Sequence, residues 1–226
     1  MSTNIVDMKQ KILLLLIPMF LFAVFCFAQK TMSEGTIVYT ISIQTGNSKP
    51  QMADALDGAT TTVYLKGGLS RTDMVSSLGN ESTIYNSETG DAVILKEYSS
   101  QKLMITLTRE NWIAKNKNYQ GVTFTIGTDN KVIAGYNCKK ATAKLEDGST
   151  IIVYYTPDLT VINKEYDQTF KNLPGLAMQY EFQSGSLKFK YVVTRLDFSP
   201  VPIAKFDFPR SGYRVMTYDD NQKGKQ

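Results

Sequence analysis

Histidine is absent from all 226 residues. That removes Ser-His-Asp and Cys-His catalysis as normally built, together with the commonest metal ligand. Cysteine occurs twice, at Cys26 and Cys138. If the first leaves with an N-terminal leader, one thiol remains, with no internal disulfide and no cysteine-based zinc site. An exported fold of this kind must hold by its core alone. A P-loop glycine motif is missing, and Asp54, Asp57, Asp129 and Asp147 lack the spacing of a calcium loop. An excess of one charge is missing too. The 25 Lys and Arg against 21 Asp and Glu leave a net charge of +4, evenly scattered, which argues against a nucleic-acid partner. No internal repeat and no sustained helical periodicity is present.

What is there is aromatic and alternating. The chain carries 13 Tyr and 11 Phe against 1 Trp, within an ordinary 42% hydrophobic content. Aromatic and β-branched side chains pack well on a pleated surface, so this balance favours strands. The length suits one domain with a normal core.

The one long apolar run is N-terminal. Lys9 and Lys11 precede Ile12–Phe27, and Cys26-Phe27-Ala28 places small residues where a signal peptidase reads, before Gln29. The expected division is a signal peptide over 1–28, a single β-rich domain over 29–218 and a flexible tail over 219–226. Met8 is an alternative start, because Met8-Lys9-Gln10-Lys11 makes a more compact basic region. A membrane anchor needs about 20 apolar residues, more than this run supplies. Phe25 ahead of Cys26 speaks against lipidation. The expected location is the periplasm, free or associated with the outer membrane.

Downstream, Ile37, Tyr39, Ile41 and Ile43 alternate with polar neighbours, the period of a strand with one buried face. Pro50 to Gly58 reads as a short helix. Thr61–Lys66 and Leu69–Val75 flank Gly67-Gly68, a pair suited to a tight hairpin. Ser82–Asn86 and Ala92–Glu97 flank Glu88-Thr89-Gly90, and Leu103–Leu107 follows. Thr108 caps one helical stretch, Arg109–Lys115, carrying Trp112 as a core anchor or the lip of a ligand cavity. Val122, Phe124 and Ile126 alternate up to a turn at Asp129-Asn130. Asp147-Gly148, between alternating runs, is the strongest hairpin signal. Asn163–Lys171 reads as a polar link with one helical turn. Leu173-Pro174-Gly175 reads as a strand entrance or corner, since proline cannot donate to the ladder. Ala177–Phe182 and Leu187–Leu196 complete a sheet of roughly ten strands, which must curl or close. The predicted class is mainly β with few short helices, a curved antiparallel sheet or open β-barrel.

Four short motifs carry a resemblance: Gly135-Tyr136-Asn137-Cys138-Lys139-Lys140, Val153-Tyr154-Tyr155-Thr156-Pro157-Asp158, Leu173-Pro174-Gly175-Leu176, and Phe208-Pro209 before Gly212-Tyr213. With them most of the chain beyond the leader is similar to secreted Gram-negative proteins of the GLPGLI group and to a related domain of unknown function. Asn172-Leu173-Pro174-Gly175-Leu176-Ala177 lacks the leading Gly and the Ile of the GLPGLI group, which favours the unknown-function domain. Both are similar in layout to the lipoprotein carrier LolA and receptor LolB. The resemblance implies a curved sheet around an apolar cavity, and it carries over no catalytic residue.

The expected function is therefore a non-catalytic binding module or carrier, with no cofactor and no metal, for a lipid or lipoprotein acyl chain. The expected ligand face is Tyr39, Ile41, Ile105, Trp112, Val153, Tyr155, Phe189 and Tyr191, which is a site if partly filled and plain core if filled. The alternative is an envelope protein–protein interaction domain with a filled core, using a sheet edge or the Asn163–Lys171 link. Cys138 reads as a small buried hydrophobe or as a reactive thiol. Asp73, Glu81, Glu88, Asp91 and Glu97 lie near turns, where two carboxylates could meet as acid and base.

Overall fold

The computed structural model describes residues 29–44, 56–184 and 187–224. The expected leader, and all but the end of the helix read from Pro50, lie outside them. Among the described residues no helix is long and apolar enough to cross a membrane.

Fourteen strands form among the described residues. They are β1 (Lys30–Met32), β2 (Glu34–Gln44), β3 (Thr60–Lys66), β4 (Leu69–Ser76), β5 (Gly79–Asn86), β6 (Ala92–Tyr98), β7 (Gln101–Leu107), β8 (Thr125–Ile133), β9 (Tyr136–Lys144), β10 (Thr150–Thr156), β11 (Leu159–Val161), β12 (Leu176–Ser184), β13 (Leu187–Asp197) and β14 (Arg214–Thr217). Two short α-helices accompany them, α1 (Arg109–Lys115) after β7 and α2 (Tyr218–Lys223) after β14. Twelve strands make one open sheet in the order β14-β7-β6-β5-β4-β3-β2-β13-β12-β10-β9-β8, while β1 and β11 pair separately. The sheet does not close into a barrel.

Most of the sheet is a run of hairpins, as the turn residues dictate. Gly67, Gly90 and Gly148 take positive φ at 54°, 81° and 85°, a region that glycine enters at little cost. At the last of these, Leu145 N–H donates to the Ser149 carbonyl at 2.9 Å, and Asp147 Oδ1 accepts from Ser149 N–H at 2.8 Å. Thr108 caps α1 in a reciprocal box: Asn111 N–H donates to its hydroxyl, and its own N–H donates to Asn111 Oδ1.

The mainly β, largely antiparallel sheet is as expected, and several details differ or go further. The sheet is mixed at one edge, because β14 lies parallel to β7. Asp129-Asn130 is not a turn. It sits inside β8 at a register irregularity against β9, and the reversal comes at Ala134-Gly135, both with positive φ. A bulged strand can hold turn-forming residues without reversing. Strands β5–β7 are covered on both faces. Ile84, Val93, Leu95 and Met104 pack under Val201, Phe206 and Tyr213. Tyr85, Ala92, Ile94, Ile105 and Leu107 pack with Trp112 on the other side. Ala92–Leu95 is thus buried without a break, a pattern with no period of two. The stretch read as tail from residue 219 includes most of α2, capped by Thr217.

The segment from Phe198 to Tyr213 crosses one sheet face and delivers the chain to β14. Side chains tether it. Arg71 Nη1 donates to the Lys205 carbonyl at 3.1 Å, Val201 N–H donates to Glu34 Oε1 at 2.5 Å, and Tyr213 hydroxyl donates to Glu97. Glu34 also pairs with Lys66, and its carboxyl is held below the usual range, chiefly by Lys66 and then by Val201 N–H. A depressed folded-state pKa gives stability that is present above the ordinary value of 4.5 and lost as pH falls below it. Wild type should therefore melt above Glu34→Gln near neutrality, and the two should converge in acid. Melting curves that stay equally far apart from pH 7 down to acid would contradict this.

Candidate binding groove

The apolar face expected to hold a ligand is largely packed. Tyr39, Ile41, Ile105, Trp112, Val153 and Tyr155 are all buried. They do not form one surface: Tyr39, Val153 and Tyr155 belong to the main core over β2, β9, β10 and β12, whereas Ile105 and Trp112 belong to the cluster over β5–β7. Phe189 and Tyr191 on β13 stay half-buried. Tyr191 stacks on Tyr180 at 4.6 Å, and Phe182 meets both rings edge-on. Over this core lies the link from Ile162 to Asn172. It inserts Phe170, whose ring lies 4.8 Å from Tyr180, and it places Tyr166 against Tyr39. Burial pushes the hydroxyls of Tyr166 and Tyr180 well above the ordinary tyrosine range.

Cys138 is fully buried on β9. Burial pushes its thiol up to about 11, against a hydrogen bond to the backbone and the charge of Lys131. A thiolate is the reactive form, so the side chain should resist labelling in the folded protein. We expect no reaction with a water-soluble maleimide natively and full reaction in denaturant. Fast native labelling would show that the pocket around it opens.

Three of the five carboxylates near turns meet cations. Asp73 pairs with Arg71 at 2.6 Å, Glu81 with Lys96 at 2.9 Å and Glu97 with Lys102 at 3.5 Å. Among the described residues no group of three or more Asp, Glu or Cys is placed to hold a metal ion.

The concave feature of interest lies elsewhere, between α1 with its following turn and the Ile162–Asn172 link. It has two confluent compartments of about 560 Å³ and 630 Å³, which share Ser87, Glu165, Lys171 and Asn172. Its inner wall is the stacked pair Tyr85 and Trp112, with ring centroids 4.5 Å apart. The pair is positioned by the register Leu65–Ser70–Tyr85–Ala92–Leu107 across β3–β7 and by the capping of α1, which fixes the pitch of Trp112.

The rim is polar, and several of its groups bond one another or nearby backbone. Lys171 pairs with Glu165, and Gln168 Nε2 donates to Glu165 Oε2 at 2.7 Å. Burial raises the Glu165 carboxyl, but these two partners outweigh it and hold it below the usual range. Arg109 Nη2 donates to the Glu88 carbonyl at 2.8 Å. Burial raises the Tyr85 phenol, with the Glu165 charge adding to it and Arg109 opposing. The link is pinned at both ends by asparagines: Asn163 Nδ2 donates to the Gly68 carbonyl and Asn172 Nδ2 to the Val122 carbonyl, each at 2.9 Å.

Two buried side-chain polar atoms among the described residues lack any hydrogen-bond partner, Trp112 Nε1 and Asn163 Oδ1. One residue lines each compartment. Buried polar groups are normally paired, so two orphans on one groove mark it out. Of its residues, sequence reasoning singled out Trp112 and the Asn163–Lys171 link, and it missed Tyr85, Arg109 and Gln120. No local pattern could join them, since the walls come from β5, α1 and the link, far apart in the chain.

No protein-family model matches the chain, and no curated protein matches it. Solved structures match loosely. PNGF-II aligns at TM-score 0.49 and 15% identity, covering 84% of this chain and 33% of its own. MucB aligns at TM-score 0.43 and 8% identity, covering 81% of this chain and 60% of its own. An uncharacterized conserved protein from Thermus thermophilus aligns at TM-score 0.46 and 10% identity, covering 89% of this chain and 98% of its own. The chain thus spans about a third of PNGF-II and three fifths of MucB, and likenesses of this size carry no function across.

Proposed function

We propose that the protein is an exported, non-catalytic binding module of the cell envelope whose ligand seats in the groove between α1 and the Ile162–Asn172 link. What supports this reading above all is the convergence there of an aromatic wall, a polar rim and the two unpartnered buried atoms. Ligand sites combine apolar lining with a few placed polar groups, and this groove has that balance. Export rests on the basic residues and apolar run ahead of Gln29. The absence of histidine and the pairing of the carboxylates with cations favour binding over chemistry.

The test is native mass spectrometry of the protein purified from its own envelope, beside Lys171→Trp, which fills the groove from its exposed rim. An added mass present on wild type and missing from the variant is the expected result. A ligand retained equally by both would move the site elsewhere. A second reading, a carrier for an acyl chain, is favoured by the half-buried Phe182, Phe189 and Tyr191 at the end of β12 and β13. Its sign would be a lipid-sized mass that survives Lys171→Trp and is lost on Phe189→Asp.

A further inference from the structure

We infer that the groove takes a neutral, hydroxyl-rich ligand, a saccharide chain. The inference rests on the reading of the groove as the binding site and adds the ligand's chemistry. The rim amides supply the first reason. Gln120 Nε2 donates to the Ile113 carbonyl, Gln168 Nε2 to Glu165, and Asn172 Nδ2 to the Val122 carbonyl. Their carbonyl oxygens are left to accept, and Gln120 and Asn172 each keep a second N–H to donate, so the rim offers acceptors and donors together. A phosphate or carboxylate brings only acceptors and satisfies half of such a set. A hydroxyl both donates and accepts.

Charge gives the second reason. Lys164, Lys171 and Arg109 stand beside Glu165 and Glu88, with Lys171 and Glu165 already paired. The lining carries an excess of one cation, and a charged ligand of either sign would still meet a like charge there, which is costly when desolvated. The third reason excludes a peptide strand. The wall strand β5 is paired along its length with β4 on one side and β6 on the other. No free backbone edge is offered there for strand addition. An acyl chain fits no better, since it would bury the amides without partners.

The remaining features suit a sugar. Tyr85, Trp112 and the half-buried Tyr119 give the wall aromatic surface, and the exposed Ile113 and Ile162 add apolar contact in the two compartments for the C–H faces of a ring. Trp112 Nε1 is an unpartnered donor and Asn163 Oδ1 an unpartnered acceptor. Both atoms are covered by protein, so a hydroxyl reaches either only as the lining shifts, and it can then serve either because it donates and accepts at one atom. Two confluent compartments suit consecutive residues of one chain.

The test is calorimetric titration of the purified protein with neutral glucose and N-acetylglucosamine oligomers, a galacturonate oligomer and an uncharged peptide. The expected result is saturable binding of a neutral oligosaccharide that changes little with salt. Gln120→Ala and Gln168→Ala should each weaken it about fivefold, the worth of one hydrogen bond, with the fold intact by circular dichroism. Binding of the peptide or galacturonate alone, lost on Lys171→Trp, would overturn the saccharide and leave the groove standing. Saccharide binding indifferent to all three substitutions would overturn both the inference and the groove. Failure of every neutral oligosaccharide, at concentrations where the envelope ligand still binds, would overturn the inference alone.

Discussion

Gly175→Ala should lower stability by about 3 kcal/mol, near the upper end of what overpacking costs. The reason is a backbone contact. A Cβ at residue 175 would overlap the carbonyl oxygen of Thr156 and lie 2.9 Å from the Tyr155 ring. Both partners are buried, and β10 shifts register against β12 at Tyr154/Tyr155, so the strand ends have little room to part. The flanking Leu173 and Leu176 are fully packed into the main core, which holds the corner in place from both sides. Pro174 is exposed, and Pro174→Ala should cost only about 0.5–1 kcal/mol, through the unfolded chain. Urea unfolding of the two variants decides the matter. Equal midpoints would mean that the Leu-Pro-Gly-Leu corner is held by proline rigidity and not by the close approach of glycine.

Trp112→Ala should be at least as damaging, at about 3–5 kcal/mol by the usual cost of emptying a buried aromatic site. For a domain whose whole stability is of order 5–15 kcal/mol, that is a third or more in most cases. The indole fills the cluster of Tyr85, Ala92, Ile94, Ile105 and Leu107, and it is the one buried side chain of α1. Without it α1 keeps its Thr108 cap but loses its hold on the sheet. Trp112→Phe separates two effects. It keeps a ring against Tyr85 and removes an N–H that is buried without a partner, a group whose desolvation costs about 1–3 kcal/mol. We therefore expect Phe to recover much of what Ala loses, measured by circular dichroism since the only tryptophan is gone. If Phe is as unstable as Ala, the indole nitrogen is bonded in solution and contributes to the fold.

These two positions also separate what was legible from what was not. The Leu173–Leu176 motif was readable as a corner because proline cannot sit in a central ladder. Its glycine was not readable as a contact, because Thr156 comes from another strand. Trp112 was readable as a capped-helix anchor because Thr108 precedes it. That Tyr85 is its stacking partner follows only from the pairing of β5 with β6 and of β6 with β7.

The apolar face shows the same division. Alternation correctly marked Tyr39, Ile41, Val153 and Tyr155 as inward-facing, but alternation cannot say what covers a face. The Ile162–Asn172 link covers this one with Phe170 and Tyr166, although its composition is polar. In β5–β7 the pattern itself was lost, since both faces are packed and the second is roofed by a segment about a hundred residues downstream.

By itself, the sequence determined the mainly β class, most of the hairpin positions and the capped helix α1. It did so because glycine φ, proline's missing N–H and side-chain period are local properties. The tertiary structure decided the strand order, the placement of β13 beside β2, the roofing of both faces and the groove. Each of these depends on which distant segments meet, and residues such as Tyr85, Trp112 and Gln168 acquire a shared role only when the packed sheet puts them on one wall.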